Sequence, residues 1–221
     1  MSHTILDRRW LVLVVAIPAV ILATLMGVAM PADTLASLIA ENGLFEVTSV
    51  ALHLMVGGLA LYYWRKGHSI AGLLFLACIL MAARESDLHK AFTTFGIFKT
   101  RQYVDASVPL LEKILSLVTV LGLLAAMATL AFRARKAIGQ LFRLRDAAFF
   151  GLTFLPVYLV LLKVLDGVPR MLRKAGMGLS EREGLISRSI EEVGETFIPI
   201  LVLIVLLQVV RRPAFSRPAV G

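Results

Sequence analysis

The 221-residue chain is 58% hydrophobic and 17% charged, against about 25% charged for an ordinary soluble domain, and its mean hydropathy is +0.83. The net charge of +8 lies beside long apolar runs, with no glycine-rich phosphate loop, zinc-finger spacing or interleaved basic–aromatic surface, so nucleic acid is excluded as a partner. A single cysteine, Cys78, allows no intrachain disulfide.

Six apolar stretches, 10–30, 44–64, 69–89, 108–132, 147–166 and 190–210, each match the roughly 20 residues that a helix needs to cross a hydrocarbon core of about 30 Å. They predict an all-α, polytopic membrane protein, one domain over residues 1–221, with six transmembrane helices. The first stretch exceeds the 7–15 apolar residues of a signal peptide and reads as a retained helix bent near Pro18. Residues 32–41 predict a short interfacial helix stopped by Asn42-Gly43.

The second stretch carries Glu46, Ser49 and His53 at spacings of three and four, which puts them on one helical face. Arg65 to His68 makes a tight turn, pairing the second and third stretches as a hairpin. The third closes on Arg84, Glu85, Asp87, His89 and Lys90, with Glu85 and His89 four apart, as two metal ligands on a helix would be. The connection 90–107 mixes aromatic and basic residues that suit a lipid headgroup layer. Glu112 and Lys113 open the fourth stretch as a local boundary pair. Residues 133–146 are strongly basic and predict an amphipathic interfacial segment. The fifth stretch ends on Lys163 and Asp166, an ion pair at i, i+3. The glycine-bearing loop 167–189 is expected to be mobile and to cover a site. The sixth opens on Glu191, Glu192 and Glu195, more acid than a helix dipole requires.

Alternating the stretches across a membrane leaves Asp7 and Asp146 on one face and the other 13 of the 15 carboxylates on the opposite one. Asp7-Arg8-Arg9 before the first stretch favours an N-terminus inside. Both termini are then cytoplasmic and the acidic face is periplasmic, in a bacterial inner (cytoplasmic) membrane. Ionisable groups within spans are costly and mark functional sites. The candidate catalytic residues are Glu46, Ser49, Arg84, Asp87, Lys163 and Asp166; the candidate metal ligands are His53, Glu85, His89, Glu191, Glu192 and Glu195.

Ser49-x-x-x-His53, Asp87 on the third span and a ligand pair on the last helix resemble the CREST superfamily of alkaline ceramidase-like membrane hydrolases. In that family a Ser, an Asp and three His assemble an intramembrane zinc site that activates water against lipid amides or esters. Here Glu191-x-x-x-Glu195 stands where the family has His-x-x-x-His, and six spans stand where it usually has seven. The first functional expectation is a hydrolase of a lipid or lipid-linked substrate, dependent on a divalent metal such as zinc. A carboxylate would serve as base, Arg84 or Lys163 would steady the oxyanion, and His53 would be the indispensable histidine. The alternatives are a cation- or proton-coupled transporter or sensor, and a structural subunit of a membrane complex. Membrane lipids are partners in every case, and the sequence leaves oligomerisation open.

Overall fold

A computed structural model of the chain describes residues 5–40 and 43–212. Among these there is no strand. A 3-10 turn (Ile5–Asp7) precedes α1 (Leu11–Ala29), α2 (Ala32–Leu38), α3 (Leu44–Arg65), α4 (Ser69–Glu85), α5 (Leu88–Ala91), α6 (Arg101–Val104), α7 (Leu110–Leu144), α8 (Ala147–Lys174) and α9 (Glu181–Val210). Five of them, α1, α3, α7, α8 and α9, are long and apolar enough to cross a membrane.

α9 is the axis of the bundle. Its most apolar window is 72% buried, against 11% for that of α7, and α1, α3, α4 and α8 pack around it. Small residues let the backbones approach, the usual device where the surrounding solvent is as apolar as the side chains. On α1 the buried set Val12, Ala16, Ala19, Ala23 and Gly27 recurs every three or four residues and faces α9. Ser189 donates across this seam to the Ala23 carbonyl at 3.0 Å. On α8 the buried residues Gly151, Leu155, Tyr158 and Leu162 form the matching face. A Cβ on Gly151 would meet Val205 at 2.7 Å, and one on Gly194 would meet Leu162 at 2.6 Å; the two helices therefore run antiparallel.

α3 and α4 form the expected hairpin, turned at Gly67 with φ 97°. The Trp64 ring lies over Gly72, 2.9 Å from where a Cβ would stand. At the far end of the bundle Arg212 reaches Asp146 at 3.2 Å and Asp7 at 3.6 Å. Gln208 donates to the Leu6 carbonyl at 3.1 Å, and Asp146 caps α8 by accepting from the Phe149 amide. The start and end of the described chain thus meet at one end.

Four expectations change. The third stretch does not run to residue 89: α4 stops at Glu85, and the chain turns through Ser86 and Asp87, where Asp87 takes a left-handed conformation (φ 49°) and pairs with Lys90 at 2.7 Å. Residues 133–144 are not a separate interfacial segment. Nothing in that stretch breaks a helix, and Ala134, Ala137 and Leu141 continue the buried stripe of α7. The loop 167–189 is mostly helix. Pro169 lies inside α8, where it cannot donate to the Leu165 carbonyl, and Ser187 of α9 donates to that oxygen instead, at 3.4 Å. α9 begins at a capping box made by Ser180 and Glu183, nine residues before the expected start. Finally, the expected helix 32–41 is α2, ending at Leu38; Asn42 of the expected stop lies outside the described residues.

The α1–α9 seam gives a stability prediction. A Cβ on Gly27 would stand 3.1 Å from the Ile186 backbone Cα, so the helices must separate to admit a side chain. Gly27→Leu should lower unfolding stability by about 1–3 kcal/mol, measured by thermal unfolding in detergent micelles; an unchanged midpoint would show that the seam is looser than described.

Candidate functional site

The polar ends of five helices converge at the end of the bundle opposite the Arg212 cluster. α3 brings Glu46 in its first turn, α4 brings Arg84 and Glu85 in its last, and α7 brings Glu112 in its first. α8 contributes Lys163, Asp166 and Arg170, and α9 contributes Glu191, Glu192 and Glu195. These side chains line a cavity of about 1200 Å³. Its deeper wall is apolar, with Ile79, Leu80 and Met81 from α4 and Leu115 and Leu123 from α7. Leu123 lies 13 residues into α7, so the cavity reaches about 20 Å below the start of that helix.

Ion pairs order the charged end. Glu195 is buried, and Arg84 reaches it from α4 with Nη2 at 2.5 Å from Oε1. The Arg84 Nη1 is 3.7 Å from Glu85 Oε1, and that oxygen has no hydrogen-bond partner although it is buried. Lys163 holds Asp166 at 2.5 Å and stands 3.7 Å from Glu191. Glu192 has Arg188 at 3.9 Å. Arg84 and Lys163 therefore serve two carboxylates each, one close and the other distant.

The segment between α4 and α7 covers part of the cavity. Phe92, Thr93, Ile97, Phe98 and Lys99 from this segment line the cavity. Gln102, fully buried, anchors it: its amide NH2 donates to Glu112 at 2.8 Å and to Ser116 at 3.3 Å, and its carbonyl oxygen accepts from the Phe95 amide at 2.9 Å. Glu112 also accepts from the Thr94 amide and hydroxyl. Bonds from the Ser107 hydroxyl and amide, with Arg101 adding its own, hold the Asp105 carboxyl far below the usual carboxylate range. Glu112 is therefore not a local boundary partner of Lys113 but the post on which the cover is fixed. Gln102, 10 residues before Glu112, carried no signal of this pairing in the sequence.

Of the twelve candidate residues, Glu46, Arg84, Glu85, Asp87, Lys163, Asp166, Glu191, Glu192 and Glu195 line the cavity. Ser49 and His53 do not. His53 is fully buried, and its Nδ1 lies 2.9 Å from the Ser49 carbonyl and 3.3 Å from the Ser49 hydroxyl. A carbonyl only accepts, so Nδ1 carries the hydrogen, and Nε2 has no hydrogen-bond partner. The His89 side chain lies outside the described residues. Among the described residues, no group of three or more His, Cys, Asp or Glu could hold a metal ion; the cavity carboxylates reach for Arg84 and Lys163 instead.

Removing the shared guanidinium tests this pairing. Arg84→Ala leaves Glu195 without its closest cation and should cost about 1–3 kcal/mol, below the 3–5 typical of a fully buried pair because the Arg84 side chain is 38% exposed. Arg84→Lys should recover part of the loss, and chemical unfolding in mild detergent reads both. No protein-family model, curated protein or solved structure matches this chain.

Proposed function

We propose that the chain is a membrane-embedded hydrolase whose cavity admits the head and part of the tail of a lipid or lipid-linked substrate. One observation carries the reading: a single cavity joins an ionic end to an apolar wall that follows α7 for about 12 Å, from Leu115 to Leu123. A soluble ion needs no such wall, and an acyl chain needs no such cluster of charges. The cavity is also one-sided. Towards the Arg212 end the bundle is filled by Ala60, Ile70, Leu201, Val205 and Leu206, all fully buried or nearly so, which favours a blind site over a conduit.

In this reading a carboxylate without a close cation, Glu85 or Glu192, takes a proton from water as the water oxygen attacks the scissile carbonyl or phosphoryl centre. Arg84 or Lys163 faces the oxyanion that develops, and a second carboxyl returns a proton to the leaving group. A metal-assisted form would need Arg84 and Lys163 to release the same glutamates, and with His53 outside the cavity the expected zinc would lack a histidine ligand from α3. Stoichiometric zinc in the purified protein would favour that form.

In the proposed topology α4, 17 residues and about 26 Å long, crosses the membrane as the sixth span, paired with α3. The meeting of Asp7 with Arg212 supports termini on one side, proposed to be the cytoplasmic side of a bacterial inner membrane, with the cavity mouth periplasmic. Reporter fusions after residues 67, 140 and 221 should read as cytoplasmic, and those after 100 and 178 as periplasmic. A fusion after 67 that reads periplasmic would reverse the protein.

For the chemistry, purified protein in vesicles of bacterial polar lipid should release a water-soluble head or a free chain, followed by mass spectrometry. Glu85→Gln and Glu192→Gln should each lower the rate on the order of 100-fold, the lower range for losing a general base. Absence of any product, together with proton or metal flux into the vesicles, would replace hydrolysis with transport.

A further inference from the structure

The order in which the cavity ions pair indicates the charge of the head that fits there. Among the described residues, eight carboxylates line the cavity against five Lys and Arg side chains. The cations are unevenly spent. Arg84 is bonded to Glu195 and Lys163 to Asp166, each at 2.5 Å, so Glu85 and Glu191 stand second in line at 3.7 Å. The nearest cation to Glu192 is Arg188 at 3.9 Å, which is outside the lining of the cavity. The Glu85 side chain is only 6% exposed, yet its Oε1 receives no hydrogen bond, and a buried acceptor left in this state is costly. Glu85, Glu191 and Glu192, on two helices, thus line one cavity with no cation closer than 3.7 Å.

The tail has a path as well. α7 and α8 are joined at Arg145 and Asp146, where Phe142 and Phe149 pack at 5.2 Å. Further along, the cavity lies between them, lined by Leu115, Thr119 and Leu123 on one side and by Lys163 and Asp166 on the other. Leu115 is both a lining residue and 58% exposed, so the cavity borders the outer surface of the bundle along α7, which in the proposed topology is a membrane span.

We infer that the cavity takes an amphiphile with a positively charged head, an ammonium group seated among Glu85, Glu191 and Glu192, its chain leaving sideways between α7 and α8. This inference builds on the cavity as a lipid site and adds the sign of the head. An ammonium accepts carboxylates from several directions without a fixed coordination geometry, whereas the described residues include no group of three that could hold a metal ion. An anionic head would meet the same three carboxylates as repulsion.

Three twelve-carbon probes that differ only in the head, dodecylamine, dodecanol and dodecanoate, test the inference by native mass spectrometry of the protein released from maltoside micelles at neutral pH. Dodecylamine should bind on the order of tenfold more tightly than dodecanoate, the effect of one partly desolvated charge pair. The double variant Glu85→Gln, Glu192→Gln should remove that preference, and Glu181→Gln, outside the cavity, should keep it. If the double variant is not recovered folded, Glu191→Gln alone should reduce the ratio. Leu123→Trp, which narrows the apolar wall, should weaken all three probes alike. Dodecanoate binding as tightly as dodecylamine, or a preference that survives in the glutamine variants, overturns the positive head while leaving the lipid site in place. Failure of all three probes to bind overturns the lipid site and the inference together.

Discussion

Glu195 sits in the most enclosed helix of the bundle, and a carboxylate there must be given a cation or a proton. Arg84 meets that demand from α4, and much of the surrounding architecture follows from bringing the two together. α4 has to end level with Glu195 so that a long side chain can reach across, and the turn at Ser86 and Asp87 stops it there. Once placed, the guanidinium also lies beside Glu85, its own neighbour in sequence. The charged end of the molecule is thus organised around a contact between two helices rather than around any one of them.

The two ends of the bundle answer different requirements. At the Arg212 end one guanidinium ties Asp146 and Asp7, Gln208 holds the Leu6 carbonyl, and small residues on α1 and α8 let both helices lie close to α9. At the other end there is more charge than close pairing can absorb, and α7 stands off, held through its first turns by Gln102 and Glu112. Space between α7 and α8 is the geometric result of a bundle drawn tight at one end and propped at the other.

Much of the charged lining of the cavity was legible before the fold. Burying a charge in a span is expensive whatever the tertiary arrangement, so counting along each apolar stretch was enough to place Glu46, Arg84, Glu85, Lys163, Asp166 and the α9 glutamates at one level. Rotation about the helix axis was not legible in the same way. Glu46, Ser49 and His53 share a face by spacing, yet only Glu46 reaches the cavity, because the depth of His53 brings it back onto its own helix at Ser49. The lengths of α7, α8 and α9 were misjudged for a related reason. Pro169 strands the Leu165 carbonyl, and the donor that meets it, Ser187, comes from 22 residues away. The cover was hidden by the same kind of distance, since Gln102 is an unremarkable polar residue until Glu112 and Ser116 are folded against it.

Pro199 lies four residues after Glu195 and inside α9, so it withholds the amide hydrogen that would normally bind the Glu195 carbonyl. The central helix is one rung short at the residue that carries its most critical charge. A helix that lacks a rung in this way bends there more readily than along its unbroken turns.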